Sequence, residues 1–121
     1  MEKIIGIIGT RTRNLHNDYI IVEEAFFKLY KEGDWIVSGG CSKGGDRFAE
    51  VISKDFGIPI LIFPPDYKQY GRSAPFIRNK KIAEFSSKAL IACVNNPRTG
   101  GTENTIMHFR KIHPNGKLII C

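Results

Sequence analysis

No apolar run in this chain approaches the ~20 residues needed to cross a bilayer, which removes membrane spanning and membrane partners from the expected functions. The opening stretch, Met1–Gly9, lacks the basic start and small-residue cleavage site of a signal peptide; it reads as a buried strand, and the expected location is the cytoplasm. Cysteine is scarce. Cys41, Cys93 and Cys121 are odd in number and scattered, without the paired spacing of a zinc site or a redox motif, so free, reduced thiols are expected. Histidine is equally sparse, and His108 and His113, five apart near a helix end, face different sides and make no metal pair. No metal or cofactor is expected, and no Ser/His/Asp or Cys/His set emerges from spacing. Linkers and low-complexity tracts are missing too, so residues 1–121 are taken as one domain. Negative charge is in deficit: 12 Asp and Glu stand against 18 Lys and Arg, a formal net charge of +6. That favours anionic partners without choosing between a small phosphate ligand and a nucleic acid.

What the chain does have is alternation. Strand-length apolar runs at Ile4 to Ile8, Trp35 to Val37, Ile58 to Phe63, Ala89 to Val94 and Leu118 to Ile120 alternate with helical spacing at about Asp18 to Lys31, Asp46 to Asp55, Pro75 to Phe85 and Thr102 to Ile112. In the second helix Phe48, Ala49, Ile52 and Phe56 fall on one side. Gly33 ends the first helix, Pro64-Pro65 ends the third strand, and the Asp66 to Ala74 segment is polar and aromatic. The Ala89 to Val94 run has no polar interruption and is expected to be central. The expected fold is α/β: a doubly wound, mainly parallel sheet of about five strands with helices on both faces.

Glycine is concentrated between the second strand and second helix, in Ser38-Gly39-Gly40-Cys41-Ser42-Lys43-Gly44-Gly45-Asp46-Arg47. At a strand-to-helix junction such a loop bares backbone N–H groups at the positive end of a helix dipole, which suits an anion. Gly40 and Gly45 have the spacing of a P-loop, but Asp46 and Arg47 stand where lysine and a hydroxyl are needed, so a magnesium triphosphate is not the expected ligand. Doubly wound sheets bind ligands outside the carboxyl ends of their strands. The junctions at that edge hold Gly9, Thr10, Arg11 and Arg13; Gly39, Gly40, Lys43, Gly44, Gly45, Asp46 and Arg47; Tyr67, Tyr70, Arg78 and Asn79; and Arg98, Gly100, Gly101, Thr102 and Glu103. The opposite edge carries plain turns. Asp46 is either an N-cap or an acceptor for a ribose hydroxyl. Arg11, Arg13 and Arg98 suit phosphate oxygens, with solvated surface charge as their ordinary alternative. Tyr67 and Tyr70 either pack the loop or stack on a base.

In order and spacing, Val37-Ser38-Gly39-Gly40, Gly44-Gly45-Asp46-Arg47-Phe48-Ala49, Tyr70-Gly71, Arg78-Asn79 and Gly100-Gly101-Thr102 resemble the SLOG superfamily over nearly the entire chain. The closest branch is that of the small YspA/YpsA-related proteins of bacteria and phages. The resemblance implies a Rossmann-like domain for a nucleotide or nucleotide-derived ligand, such as the ADP-ribose-like signals of bacterial immunity, and a homodimer or tetramer; Phe26-Phe27 and Phe109 are contact candidates, with core packing as the equal alternative. It also implies two alternatives: N-glycosidic hydrolysis of nucleoside monophosphates, as in the LOG enzymes, and DNA binding, as in the DprA relatives. Against the LOG pattern Arg78, Pro97 and Gly101-Thr102 match, with Arg78 and Glu103 as the catalytic candidates. However, the catalytic glutamate should fall at position 105, which is Thr105, and Glu103 is two residues early. Two residues turn a helix by about 200°, so Glu103 points elsewhere. A binder of a nucleotide-derived small molecule is the expected function, ahead of a hydrolase.

Overall fold

The computed structural model describes residues 3–96, 98 and 100–121; the expected match at Pro97 lies outside the described residues. Five strands, β1 (Ile4–Gly9), β2 (Trp35–Ser38), β3 (Ile60–Ile62), β4 (Ala89–Cys93) and β5 (Lys117–Ile120), run parallel in the order β3-β2-β1-β4-β5. Between them lie α1 (His16–Leu29), α2 (Gly45–Phe56), α3 (Tyr67–Tyr70), a 3-10 turn at Gly71–Ser73, α4 (Ala74–Phe85) and α5 (Gly100–Ile112). This is the expected α/β, Rossmann-like doubly wound fold, with the sheet all parallel.

The two-residue period of each strand divides the core in two. Ile5, Ile7, Ile91 and Cys93 point to α1 and α2, where Val22, Phe26, Phe48, Ala49 and Ile52 meet them. Ile8, Val37, Leu90 and Ala92 point the other way, onto Ile82 and Ala83 of α4 and Ile106 and Phe109 of α5. β4 is buried at every residue and pairs with β1 on one side and β5 on the other, as its unbroken apolar run requires. No helix among the described residues is long and apolar enough to cross a membrane.

Some local expectations change. Phe26 and Phe109 are core residues, fully or almost fully buried, and are not surface contact candidates. Phe27 stays partly exposed and packs edge-on against Phe56, whose ring lies 4.7 Å away and faces outward instead of into the core. β3 is only three residues long, because Pro59 and Pro64 flank it, and it occupies a sheet edge where proline is tolerated. The polar segment after it folds into α3, whose first turn is capped by Asp66 accepting a hydrogen bond from the Gln69 N–H at 3.1 Å. Gly45 meets the end of β1 so closely that a Cβ there would lie 2.2–2.4 Å from the backbone of Ile8 and Gly9. The double glycine is therefore a packing joint between α2 and β1.

Candidate functional site

The chain lays β2 and β3 on one side of β1 and β4 and β5 on the other, so the connections diverge where β1 and β4 end, at Gly9 and Cys93. Such a divergence opens a crevice at the carboxyl edge of the sheet. Its base is closed by the Thr10 N–H donating to the Cys93 carbonyl at 2.9 Å. Polar side chains tie the surrounding junctions to one another. Asn95 donates to Thr12, which also contacts the Thr10 hydroxyl at 3.2 Å, joining the loops after β4 and β1. Asn14 joins the loops after β1 and β2, because its side-chain oxygen accepts from both the Gly44 N–H and the Arg47 Nε at 2.8 Å. Arg47 also donates to the Asn14 carbonyl at 3.1 Å and lies 4.9 Å from the centre of the Phe48 ring.

Arg78 and Asn79, adjacent on α4, form the third tie. Arg78 Nη1 donates to the Gly39 carbonyl at 2.9 Å and its Nε to Asn79 Oδ1 at 2.9 Å. Asn79 is buried, and its amide donates to the Gly101 carbonyl at 3.2 Å and to Asn104 Oδ1 at 3.1 Å. One helix turn thus links the double-glycine loop to the start of α5. A Cβ on Gly39 would stand 2.6 Å from Arg78 Nη1 and 2.7 Å from Asp46 Oδ2, so both side chains would have to move aside.

Asp46 does not cap α2, whose N-cap is Gly44. Its carboxyl turns back onto the loop, where Oδ1 meets the Ser38 hydroxyl at 2.9 Å and Oδ2 accepts from the Cys41 N–H at 3.1 Å. Burial pushes this carboxyl above its ordinary range, although the Cys41 N–H, the Ser38 hydroxyl, the Arg78 charge and the Gly39 N–H all pull it down. Ser38 also lies 2.6 Å from the Ile7 carbonyl. A hydroxyl carries one proton for these two acceptors.

The basic candidates separate into two groups. Arg13 is structural: it donates to the carbonyls of Val94 and Cys121, both at 2.9 Å, and pairs with Asp18 at 2.8 Å. Burial works against its charge, but the Asp18 hydrogen bond, with the charges of Cys93, Asp18 and Cys121, raises its pKa overall. Arg11 and Lys43 are exposed on the loops beside the crevice. Arg98 pairs with Glu103 at 3.2 Å. Thr105 is buried, and its hydroxyl donates back to the Gly101 carbonyl at 3.1 Å, so position 105 faces the interior.

Beside this edge, Phe63, Pro64, Asp66, Tyr70, Ala74, Ile77, Arg78 and Lys81 line a cleft of about 60 Å³ between β3, α3 and α4. Ligand pockets occupy roughly 300–1,000 Å³, so this cleft holds little more than water. Tyr70 is half-buried in the cleft wall, whereas Tyr67 is exposed. The sequence places Thr12, Asn14, Asn95 and Asn104 in the polar junctions and Ser38 at the head of the double-glycine loop without a role for any of them; the structure makes them the ties of the network. Set against known proteins, the chain matches no family model, no curated protein and no solved structure.

Proposed function

We propose that this chain binds a nucleotide-derived small molecule, ADP-ribose-like, cyclic or a nucleoside monophosphate, across the crevice at the carboxyl edge of the sheet, as a sensor or sequestering protein of the SLOG type. One observation carries the reading: the loops after β1, β2 and β4 are tied into a single polar rim by Thr12–Asn95, Asn14–Gly44 and Arg78–Asn79. Arg11 and Lys43 remain exposed on that rim for a phosphate. Its hydroxyls and amides, Thr10, Thr12, Asn95 and Thr102, are of the kind that hold ribose and base edges.

Binding without turnover fits better than hydrolysis. Departure of a base from ribose leaves positive charge that a nearby carboxylate must offset, and Thr105 supplies none. Glu103 stands at ion-pair distance from Arg98, 3.2 Å, although its buried Oε2 makes no hydrogen bond among the described residues. Asp46 holds the loop with both its carboxyl oxygens.

Calorimetry with AMP, ADP-ribose, cyclic ADP-ribose and cyclic dinucleotides tests the proposal. Saturable heat is expected from at least one of them, weakened ten-fold or more in the Arg11→Glu/Lys43→Glu double variant. Silence from every ligand at millimolar concentration would discard the reading. Release of free base from a nucleoside monophosphate, abolished by Glu103→Gln, would replace it with the hydrolase.

A further inference from the structure

Cys93 and Cys121 look unrelated in sequence, yet the fold sets them side by side. The β4–β5 register pairs Ala92 with Ile120. The ladder then continues one step, with the Cys121 N–H donating to Ala92 at 2.9 Å and the Val94 N–H donating to Cys121 at 3.4 Å. Those two bonds make Cys93 and Cys121 direct partners. Neighbouring strands lie about 4.8 Å apart, inside the ~4.4–6.8 Å Cα range of disulfides. Both side chains join the same cluster beneath α1, so both thiols lie on one face of the sheet. Arg13 bridges the two strand ends through its bonds to Val94 and Cys121, which holds the pair in register.

We propose that Cys93 and Cys121 are a modification site: an oxidisable pair that closes reversibly into a disulfide across the β4–β5 ladder when the protein meets a peroxide. Both thiols are free in this structure. Cys121 is partly exposed and Cys93 fully buried, so Cys121 reacts first. Its thiolate sulfur attacks one peroxide oxygen, the O–O bond breaks, and water leaves after proton transfer, giving a sulfenic acid. The Cys93 thiolate attacks that sulfur, the S–O bond breaks, and a second water leaves with the remaining proton. Two thiols have lost two electrons and two protons, and one peroxide has become two waters. A dithiol reductant reverses the change by exchange.

Burial raises both thiols, Cys93 to about 11, while the Arg13 charge pulls each of them down. The thiolate is the reacting species, so closure is slow at neutral pH and accelerates toward pH 9. The pair does not depend on the binding reading, and neither fails with the other.

The test treats the full chain with hydrogen peroxide at pH 7 and pH 9, then alkylates under denaturing conditions and maps the peptides by mass. The expected result is a loss of about 2 Da in a cross-linked Cys93–Cys121 peptide. Formation should be faster at pH 9, reversed by dithiothreitol, unchanged in Cys41→Ser and absent in Cys121→Ser. Cys121→Ser alters only a partly exposed position, so it remains usable if Cys93→Ser fails to fold. A Cys121 that gains oxygen to the sulfinic acid without cross-linking, a cross-link through Cys41, or intact thiols at pH 9 would each overturn the proposal.

Discussion

Taking a carboxyl out of water opposes its ionisation, and Asp46 is only 8% exposed among Ser38, Cys41 and Arg78. The sign of the consequence follows from linkage. An acid whose folded pKa lies above its unfolded value, 3.8 here, binds its proton more tightly when folded. Its contribution to stability is fully present below pH 3.8 and is lost as pH rises through the folded value. Asp46→Asn keeps the shape and removes the titration. In urea unfolding from pH 3.5 to 8, the stability of wild type relative to Asp46→Asn should therefore fall as pH rises, then level off; a difference that stays flat or climbs would refute the account. Asp18 has the opposite sign: burial raises it, but the Arg13 hydrogen bond, the Leu15 N–H and the Arg13 charge lower it overall. At this scale the sequence was legible in residue type and poorly legible in role. Arg11 and Arg13 share one loop, and only contacts 81 and 108 residues away assign Arg13 to the scaffold. Asp46 stands where a helix cap is expected, but the path of the loop brings the N–H of Cys41 to it, while Gly44 takes the cap.

Helices and strands obey sequence periodicity where they are long enough to show it. α1, α2, α4, α5 and β4 follow their apolar spacing to within about two residues at each end, the usual blur of element boundaries. α3 was invisible because its four residues complete little more than one turn and leave no period to detect. The double-glycine loop was legible as a junction, but its chemistry depends on what lies against it. Gly44 has φ +75, and a Cβ there would stand 2.3 Å from the Thr10 carbonyl oxygen, so the loop and the end of β1 are fitted together before any ligand arrives. The glycines consequently split into two classes with opposite mutational outcomes. Gly45→Ala drives a methyl into the Ile8 and Gly9 backbone, which cannot yield as a flexible side chain would. A loss of about 3 kcal/mol or outright failure to fold is expected. In Gly101→Ala the nearest atom to the new methyl, Asn79 Nδ2, is 3.7 Å away, within ordinary contact, and the site is helical. That change should be neutral or stabilising by about 0.5–1 kcal/mol. Thermal melts of the two variants side by side decide the matter: equal destabilisation would mean that α2 does not dock through Gly45.

Over the whole molecule the doubly wound topology fixes where charge falls. Lys3, Lys31, Lys54, Lys88, Arg110, Lys111 and Lys117 stand where strands begin or helices end, the edge opposite the candidate site. Cations there oppose the negative ends of helix dipoles, and Lys88 also pairs with the buried Asp34. The basic residues are therefore divided between two edges. Composition alone could not reveal that division, because it depends on which residues the topology sends to each end of the sheet. A nucleic-acid strand needs a continuous track, whereas a phosphate-bearing small molecule needs only the few cations near the crevice, Arg11 and Lys43 first. Affinity for DNA falls with salt roughly in proportion to the phosphates neutralised, with a log–log slope of about −0.7 per contact on a single strand. Two or three contacts at the crevice edge correspond to a slope near −2 and to binding that has largely disappeared by about 200 mM salt. Fluorescence anisotropy of a labelled single strand titrated from 50 to 300 mM salt measures that slope directly. Affinity that survives at the upper end with a slope of about −5 or steeper would mean that both edges engage the strand, and a nucleic acid would then displace the small molecule as the ligand.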